Sequence, residues 1–558
     1  MCRPELYFNR AVSHEMSGRT LRKTDVDGVL SRSREASLPL IEGRLGDPTR
    51  YPGFESPNKR YQLLKFAGMF LGFIREYAGE EKISYAAEYV KAIAGLRRRR
   101  GMFTKLMNIG LNSKNFNDPE KRSIGNALEF SKKLMRLDRI AELLDFVEEA
   151  ADIASEDYII KNYKRMWSYQ SASGLAELRE ILGLGGADVH GEYKLPADQV
   201  FIGAGISGIL SNIFEIALGE GSLNLGKGGN VVTTDWCYIL YSAEAARMGA
   251  EIKAVNIRSD GQVTQKHLKE VIDKNTKVVV FATVGNPIGI GMDPEEFGKI
   301  IEIVNKKEQE LGRPIFLVAD TIYEGYRKDR KKRLDPIVLS IKHGRTGPTI
   351  DLHGFSKMIG APGDRFGFAR VYWPKGEFKN YRKAFFNEME ILMQRRLGEV
   401  ATSVQIAAYL FFRELNTSEE RVKAYLRYKE QRRNEAFRRT SELARKLNEI
   451  GPEIVFPSAY KTGGIIDPNN FANSFYVVFG IDQGLMPNID QSQAKAIAEF
   501  SLITRKTPVP ALTPGENFRL IDENQRYSRV VSLLDDEQQD QLVDVVGEFV
   551  KSRRTKAQ

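Results

Sequence analysis

At 558 residues the chain exceeds the roughly 250–300 residues at which a single hydrophobic core stops growing, so two or three domains are expected. Hydrophobic residues at 42%, aromatics at 10% and charged residues at 28% exclude the disordered and fibrous classes. The net charge of +10 raises the question of nucleic acid, but its dense clusters, "LRRRR" (96–100) and "RKDRKKR" (327–333), lack interleaved aromatics and read as solvated faces.

Cys2 and Cys237 are the only cysteines and have no disulfide-framework spacing. The five histidines never fall at H-x-x-x-H spacing, so no metal site is expected. No apolar run approaches the roughly 20 residues that span a bilayer, and the N-terminus lacks the apolar core of a signal peptide. A cytoplasmic protein without a membrane partner is the expectation.

Residues 1–57 begin as an Arg- and Ser-rich arm, with order expected from "SLPLIEGRLGDP" onward. Residues 58–163 form a helical block, carried by "QLLKFAGMFLGFIREY" and "IAELLDFVEEAADI". Residues 164–377 alternate short β-branched runs with amphipathic helices: "QVFI", "NVVTT", "EIKAV", "KVVVFATV", "PIFLVA" and "TIDLHGF". That alternation predicts an α/β domain with a mostly parallel sheet covered on both faces. Residues 378–558 hold a long charged helix, then a smaller α+β domain with strands "SFYVVFGI" and "YSRVVSL" and a final helix.

The stretch "VFIGAGISGIL" places Gly203, Gly205 and Gly208 at G-x-G-x-x-G spacing where a strand meets a helix, and Asp235 ends the next strand. Alone, this reads as a dinucleotide fingerprint. The other strand ends change that reading. They carry Trp236-Cys237-Tyr238, then Asn286-Pro287-Ile288-Gly289, then Asp320-Thr321-Ile322-Tyr323, then Phe355-Ser356-Lys357 with Arg365 and Gly367 beyond.

The order N-P-x-G, D-x-x-Y, F-S-K and G-x-R-x-G resembles the signature of the fold-type I, class I/II pyridoxal-phosphate-dependent aminotransferases, clearly over about residues 165–370. The resemblance implies the fold-type I transferase architecture, with a helical insertion at 58–163, and pyridoxal 5'-phosphate as cofactor. It also implies transfer of an amino group between an amino acid and a 2-oxo acid. Lys357 would form the Schiff base and move the proton between the substrate's α-carbon and the cofactor. The chemistry agrees, since an aldehyde needs an amine that is neutral often enough to attack, and a lysine near fixed cations meets that need.

By the same resemblance Asp320 faces the pyridine nitrogen, because the ring withdraws electrons only while protonated. Asn286 and Tyr323 would bond the phenolic oxygen. Tyr238 would stack on the ring, with Trp236 as the nearby alternative. The phosphate would lie on Gly205, Ile206, Ser207 and Gly208, with Ser356 and Arg365. Tyr169 would reach the phosphate of a neighbouring subunit, which implies a homodimer or larger homo-oligomer.

Arg529 would hold the substrate carboxylate, with Arg526 and Arg519 as other registers, the backbone of Gly46 would close over it, and Arg44 is a candidate second cation. Gly354 stands where the family usually has a serine, so one phosphate hydroxyl is missing. "GDPTRYPGFESPNKRYQLLKFAGMF" resembles aspartate 4-decarboxylases, which leaves β-decarboxylation or lyase chemistry as one alternative. A non-catalytic nucleic-acid-binding protein is the other.

Overall fold

The computed structural model describes residues 170–557, apart from 185–192, 221–222, 224, 396–399, 487–491, 505–508, 515–517 and 519–526; upstream it describes Leu40–Ile41 and Lys65. The chain divides into two units, one of residues 1–56, 172–400 and 418–558 and one of 57–171 and 401–417. In the second unit the described residues are Lys65, which is helical, 170–171 and 401–417, the last containing the helix Thr402–Thr417 with Val404, Ile406, Leu410 and Phe411 buried. Nearly all of the helical block expected at 58–163 lies outside the described residues.

The first unit is organised on two sheets. The larger contains β1 (Val200–Ala204), β2 (Asn230–Thr234), β3 (Glu251–Val255), β4 (Thr276–Ala282), β5 (Phe316–Asp320), β6 (Thr349–Gly354) and β7 (Phe366–Tyr372). Their order is β1-β7-β6-β5-β4-β2-β3, parallel except for β7, which runs antiparallel to both neighbours. The β-branched runs form strands because both faces are covered: Val278, Val279, Val280 and Phe281 are each fully buried. β7 is a strand the periodicity did not indicate. It begins one residue after Arg365 and is held by long-range pairing, Gly203 and Gly354 both standing opposite Gly367.

Helices cross between these strands. α1 (Gly205–Leu218) follows β1 directly, α2 (Ile239–Arg247) follows β2, and α3 (Pro294–Leu311) precedes β5. α3 shows why such segments start and stop where they do. Asp293 accepts the N–H of Glu295 at 2.9 Å, proline occupies the first turn, and Gly312 takes the left-handed conformation (φ 61°) beyond the end. α4 (Phe355–Met358) is a single turn after β6, and α5 (Glu419–Glu449) is the long charged helix, capped by Ser418.

The smaller sheet contains β8 (Ile454–Val455), β9 (Tyr476–Ile481), β10 (Thr513–Pro514) and β11 (Tyr527–Val531), antiparallel in the order β10-β11-β9-β8. Leu443 and Leu447 of α5 pack in one core with Val477 and Phe479 of β9 and Val546 of the last helix. Leu40–Ile41 pairs in parallel with Val509–Pro510 beside this sheet.

An ion pair fixes the far end of α3. Glu308 and Arg345 are fully enclosed and bond each other. Glu308 also accepts from Ile315 N–H (2.7 Å) and the Thr346 hydroxyl (2.7 Å), while Arg345 donates to the carbonyls of Ile315 (2.7 Å) and Pro348 (3.2 Å). The pair thus ties α3 to the loops entering β5 and β6. Glu308→Ala leaves a buried cation alone and is expected to cost about 3–5 kcal/mol in urea unfolding. A loss below about 1 kcal/mol, the size of a surface pair, would contradict this assignment.

Candidate active site

Loops at the carboxyl ends of β1, β2, β4, β5 and β6 meet over a cavity of about 250 Å³. This is where parallel sheets present their ligand sites. β1 turns into α1 at Gly205 (φ +71°), and no side chain caps the helix, so its first N–H groups face the cavity end. A Cβ at Gly205 would lie 2.7 Å from Arg365 Nη2, and one at Gly367 would overlap the Gly205 backbone. Glycine at both positions therefore lets a helix N-terminus, a strand and a guanidinium crowd one spot. Arg365 adopts the left-handed conformation (φ 50°), which costs a non-glycine residue about 1–3 kcal/mol and is concentrated at functional sites.

Gly354 is explained by the same packing. A Cβ there would stand 2.9 Å from the Phe366 carbonyl oxygen, so a serine does not fit without movement. Ser356 and Ser207 line the cavity instead.

Asp320 ends β5 and is 3% exposed. Its Oδ2 accepts from the Tyr241 hydroxyl at 2.7 Å and its Oδ1 from Ile322 N–H at 3.2 Å. Burial raises its pKa, and these two donors act against that rise. Burial, then the neighbouring Asp320, pushes the Tyr241 hydroxyl well above its usual range, so Tyr241 stays a donor. Behind Asp320, His353 bonds Asp351 (2.7 Å), Arg370 reaches the same carboxylate (3.2 Å) and Thr321 bridges to Asp351 at 2.9 Å. Against burial, His353 and Arg370 hold Asp351 below the usual carboxylate range.

A second chain of contacts runs through the smaller sheet. The Tyr323 and Tyr476 hydroxyls are 2.7 Å apart, and Arg529 lies over the Tyr476 ring at 4.5 Å and the Phe518 ring at 4.6 Å. Arg529 donates to Asn286 Oδ1 at 2.9 Å and to the Thr513 hydroxyl at 3.3 Å. The guanidinium is thereby fixed from both sides of the cavity. Burial and Tyr476 push the Tyr323 hydroxyl well above its usual range.

Lys357, on α4, lines the cavity with Nζ 5.7 Å from the Phe475 ring centre. Its backbone is held from α5. Arg432 donates to the Met358 carbonyl and the Tyr326 hydroxyl, and Tyr326 donates to the Lys357 carbonyl at 3.3 Å.

Eleven of the residues expected from the sequence converge on this cavity: Gly205, Ile206, Ser207, Tyr238, Asn286, Asp320, Tyr323, Ser356, Lys357, Arg365 and Arg529. Gly208 does not line it, lying within the first turn of α1. Trp236, the alternative to Tyr238, packs instead against Tyr527 with ring centres 5.3 Å apart. Tyr169, Gly46, Arg44, Arg519 and Arg526 lie outside the described residues. Sequence reasoning missed Tyr241 and Tyr476, which also line the cavity. Helical spacing from Tyr238 could have found the first, whereas the second sits in a strand that reads as core.

The family described as aminotransferase class I and II matches residues 142–464, more than half of the chain. The chain belongs to that family. Its members work with pyridoxal phosphate. A histidinol-phosphate aminotransferase of Mesorhizobium japonicum is 26% identical over 186 residues, covering 33% of this chain and 46% of that protein. An aspartate aminotransferase of Bacillus sp. (strain YM-2) is 25% identical over 204 residues, covering 36% and 48%. The chain spans about half the length of these curated relatives.

Among solved structures, the alanine aminotransferase from Pyrococcus furiosus superposes with TM-score 0.53 at 19% identity, over 70% of this chain and 86% of that one. An aromatic aminotransferase from Pyrococcus horikoshii OT3 gives 0.52 at 19% identity, over 70% and 90%. The fold expected from the motifs is the fold of the protein. Among the described residues no helix is long and apolar enough to cross a membrane.

Proposed function

We propose that this protein is a pyridoxal-phosphate-dependent aminotransferase that moves an amino group between an amino acid and a 2-oxo acid. The observation that carries the reading is the joint lining of one cavity by Lys357, Asp320, Arg365 and Arg529. The donor set suits the cofactor: a guanidinium and a helix N-terminus for a phosphate, a buried carboxylate for a ring nitrogen, and an amine for an aldehyde. Bound there, pyridoxal phosphate supplies a carbonyl that captures amines and a ring that accepts the electron pair left at the substrate's α-carbon.

The chain's own groups divide the remaining work. Arg365, Ser207, Ser356 and the first N–H groups of α1, with Gly205 and Ile206, hold the phosphate. Tyr238 covers the ring and Asp320 keeps its nitrogen protonated. Asn286 gives its Oδ1 to Arg529, which leaves its amide N–H groups for the phenolic oxygen beside Tyr323. Arg529 presents its fork to the substrate carboxylate. Lys357 Nζ takes up the substrate's α-proton and returns it.

The family resemblance supports a homodimer with Tyr169 shared between sites, a domain division at 164–377 and 378–558, and a cytoplasmic location. It likewise supports residues 58–163 as an insertion in the common core, with Gly46 and Arg44 on the substrate side.

The purified protein, given a panel of amino donors with pyruvate and 2-oxoglutarate, is expected to form the matching amino and oxo acid products in equal amounts. Carbon dioxide and alanine from aspartate alone would identify the decarboxylase instead. Failure of every donor with every acceptor would reject aminotransfer.

A further inference from the structure

The edge of the larger sheet opposite the reaction cavity carries a second cavity, of about 390 Å³. It is lined by Lys227 in the turn before β2, Glu251 at the start of β3, Lys274 and Asn275 before β4, Lys277 on β4, and Arg313 beyond α3. Four cations thus face one carboxylate. β4 alone separates Lys277 from Ala282, at the edge of the reaction cavity, by roughly 17 Å at about 3.3 Å per residue.

One of the cations is withdrawn from water and a second is half-buried. Lys277 is 4% exposed and its ammonium donates to the Gly226 carbonyl. Arg313 donates to the carbonyls of Lys274 (2.6 Å) and Thr276 (3.0 Å). Neither forms an ion pair with a carboxylate among the described residues, and two of the acids near this edge are engaged elsewhere. Asp273 holds Lys253 at 2.8 Å and the Asn230 amide at 2.8 Å, and the exposed Glu220 takes Lys227 at 3.6 Å. Burial, and then Arg313, lowers the Lys277 pKa to about 8. Binding the Gly226 carbonyl requires no charge, since an amide would serve. A buried ammonium beside a half-buried guanidinium is therefore costly unless a counter-anion accompanies them.

We propose that this cavity binds a compact oxyanion of the phosphate class, carrying at least two negative charges, at a site separate from the reaction. Lys277 supplies the buried charge, Arg313 a half-buried one fixed by two carbonyls, and the exposed Lys227 and Lys274 close over the anion from the rim. Inorganic phosphate, pyrophosphate and the phosphate of a small metabolite share this chemistry. The inference stands independently of the proposed reaction.

Calorimetric titration of the protein, loaded with pyridoxal phosphate and then dialysed, tests it with inorganic phosphate, pyrophosphate and glycerol 3-phosphate. At least one is expected to bind saturably, one per chain, without altering the cofactor's absorbance; the tightest identifies the source. Lys277→Met is expected to weaken that binding at least about tenfold, and the exposed Lys274→Met several-fold, which keeps the test open if the first variant does not fold. The charged groups that line the cavity with Lys277 are Lys227, Lys274, Arg313 and Glu251, and burial and Arg313 hold the pKa of the Lys277 ammonium at about 8. Affinity should therefore fall as pH rises from 7.5 to 9.5, with proton uptake seen as heats that depend on the buffer. Absence of saturable binding by all three anions would overturn the proposal, as would binding unchanged in Lys277→Met and Lys274→Met.

Discussion

Lys357→Ala is expected to lose the visible absorbance of lysine-linked pyridoxal phosphate and to lower kcat at least about 10⁴-fold. General acid–base catalysis by a placed group is worth about 10²–10⁴, and this change also removes the amine that anchors the cofactor. At about 1.36 kcal/mol per decade the loss corresponds to at least about 5 kcal/mol of transition-state stabilisation. The fold should survive, because what holds this turn is backbone: Tyr326 bonds the Lys357 carbonyl and Arg432 bonds that of Met358. Lys357→Arg separates charge from chemistry. It keeps the cation but not an amine that can become neutral, and should be equally inactive. Borohydride treatment of the wild type should add the cofactor's mass to the peptide containing Lys357 and to no other. Either variant retaining more than about a tenth of wild-type activity would remove Lys357 from the reaction.

The strand ends were legible in the sequence because each β-branched run is followed at once by its polar residues. Asn286, Asp320 and Lys357 could be ordered without coordinates, and Arg365 and the Gly205 turn followed by spacing. What escaped depends on contacts between distant segments. Tyr476 lies 153 residues from Tyr323 and reads as one more core residue of "SFYVVFGI", yet its hydroxyl meets that of Tyr323. Tyr241 reads as the buried face of a short helix, since nothing local says that a carboxylate 79 residues away lies within reach. β7 does follow a turn signal, Pro362-Gly363-Asp364, but what makes it a strand is its pairing with β1 and β6 on either side. His353 precedes Gly354 in the sequence, but the network it joins, through Asp351, Thr321 and Arg370, comes from three strands or their ends.

Asp320→Asn is expected to lower kcat about 10²–10³-fold while leaving the KM for the amino acid little changed. The size is that of losing one preorganised electrostatic partner, about 2.7–4 kcal/mol. The split follows from geometry, since Arg529 contacts Asn286 and Thr513 and not Asp320. Asparagine keeps the shape at a position 3% exposed and can still meet the Tyr241 hydroxyl and Ile322 N–H, so loss of charge, not collapse, is what the variant reads. Tyr241→Phe provides the graded comparison. It removes one donor to the ionised carboxylate and should cost about tenfold, the worth of one hydrogen bond to a charged group. The sign of its pH effect is set by the balance at Asp320, where burial raises the pKa and Tyr241 lowers it. Without Tyr241 that pKa rises further, and Asp320 protonates sooner as the solution is made acidic. The acid limb of kcat against pH should therefore move to higher pH in Tyr241→Phe and be absent in Asp320→Asn, whose residual activity does not wait on that proton. An acid limb unmoved in Tyr241→Phe and retained in Asp320→Asn would assign the titration to another group and leave Asp320 a structural carboxylate.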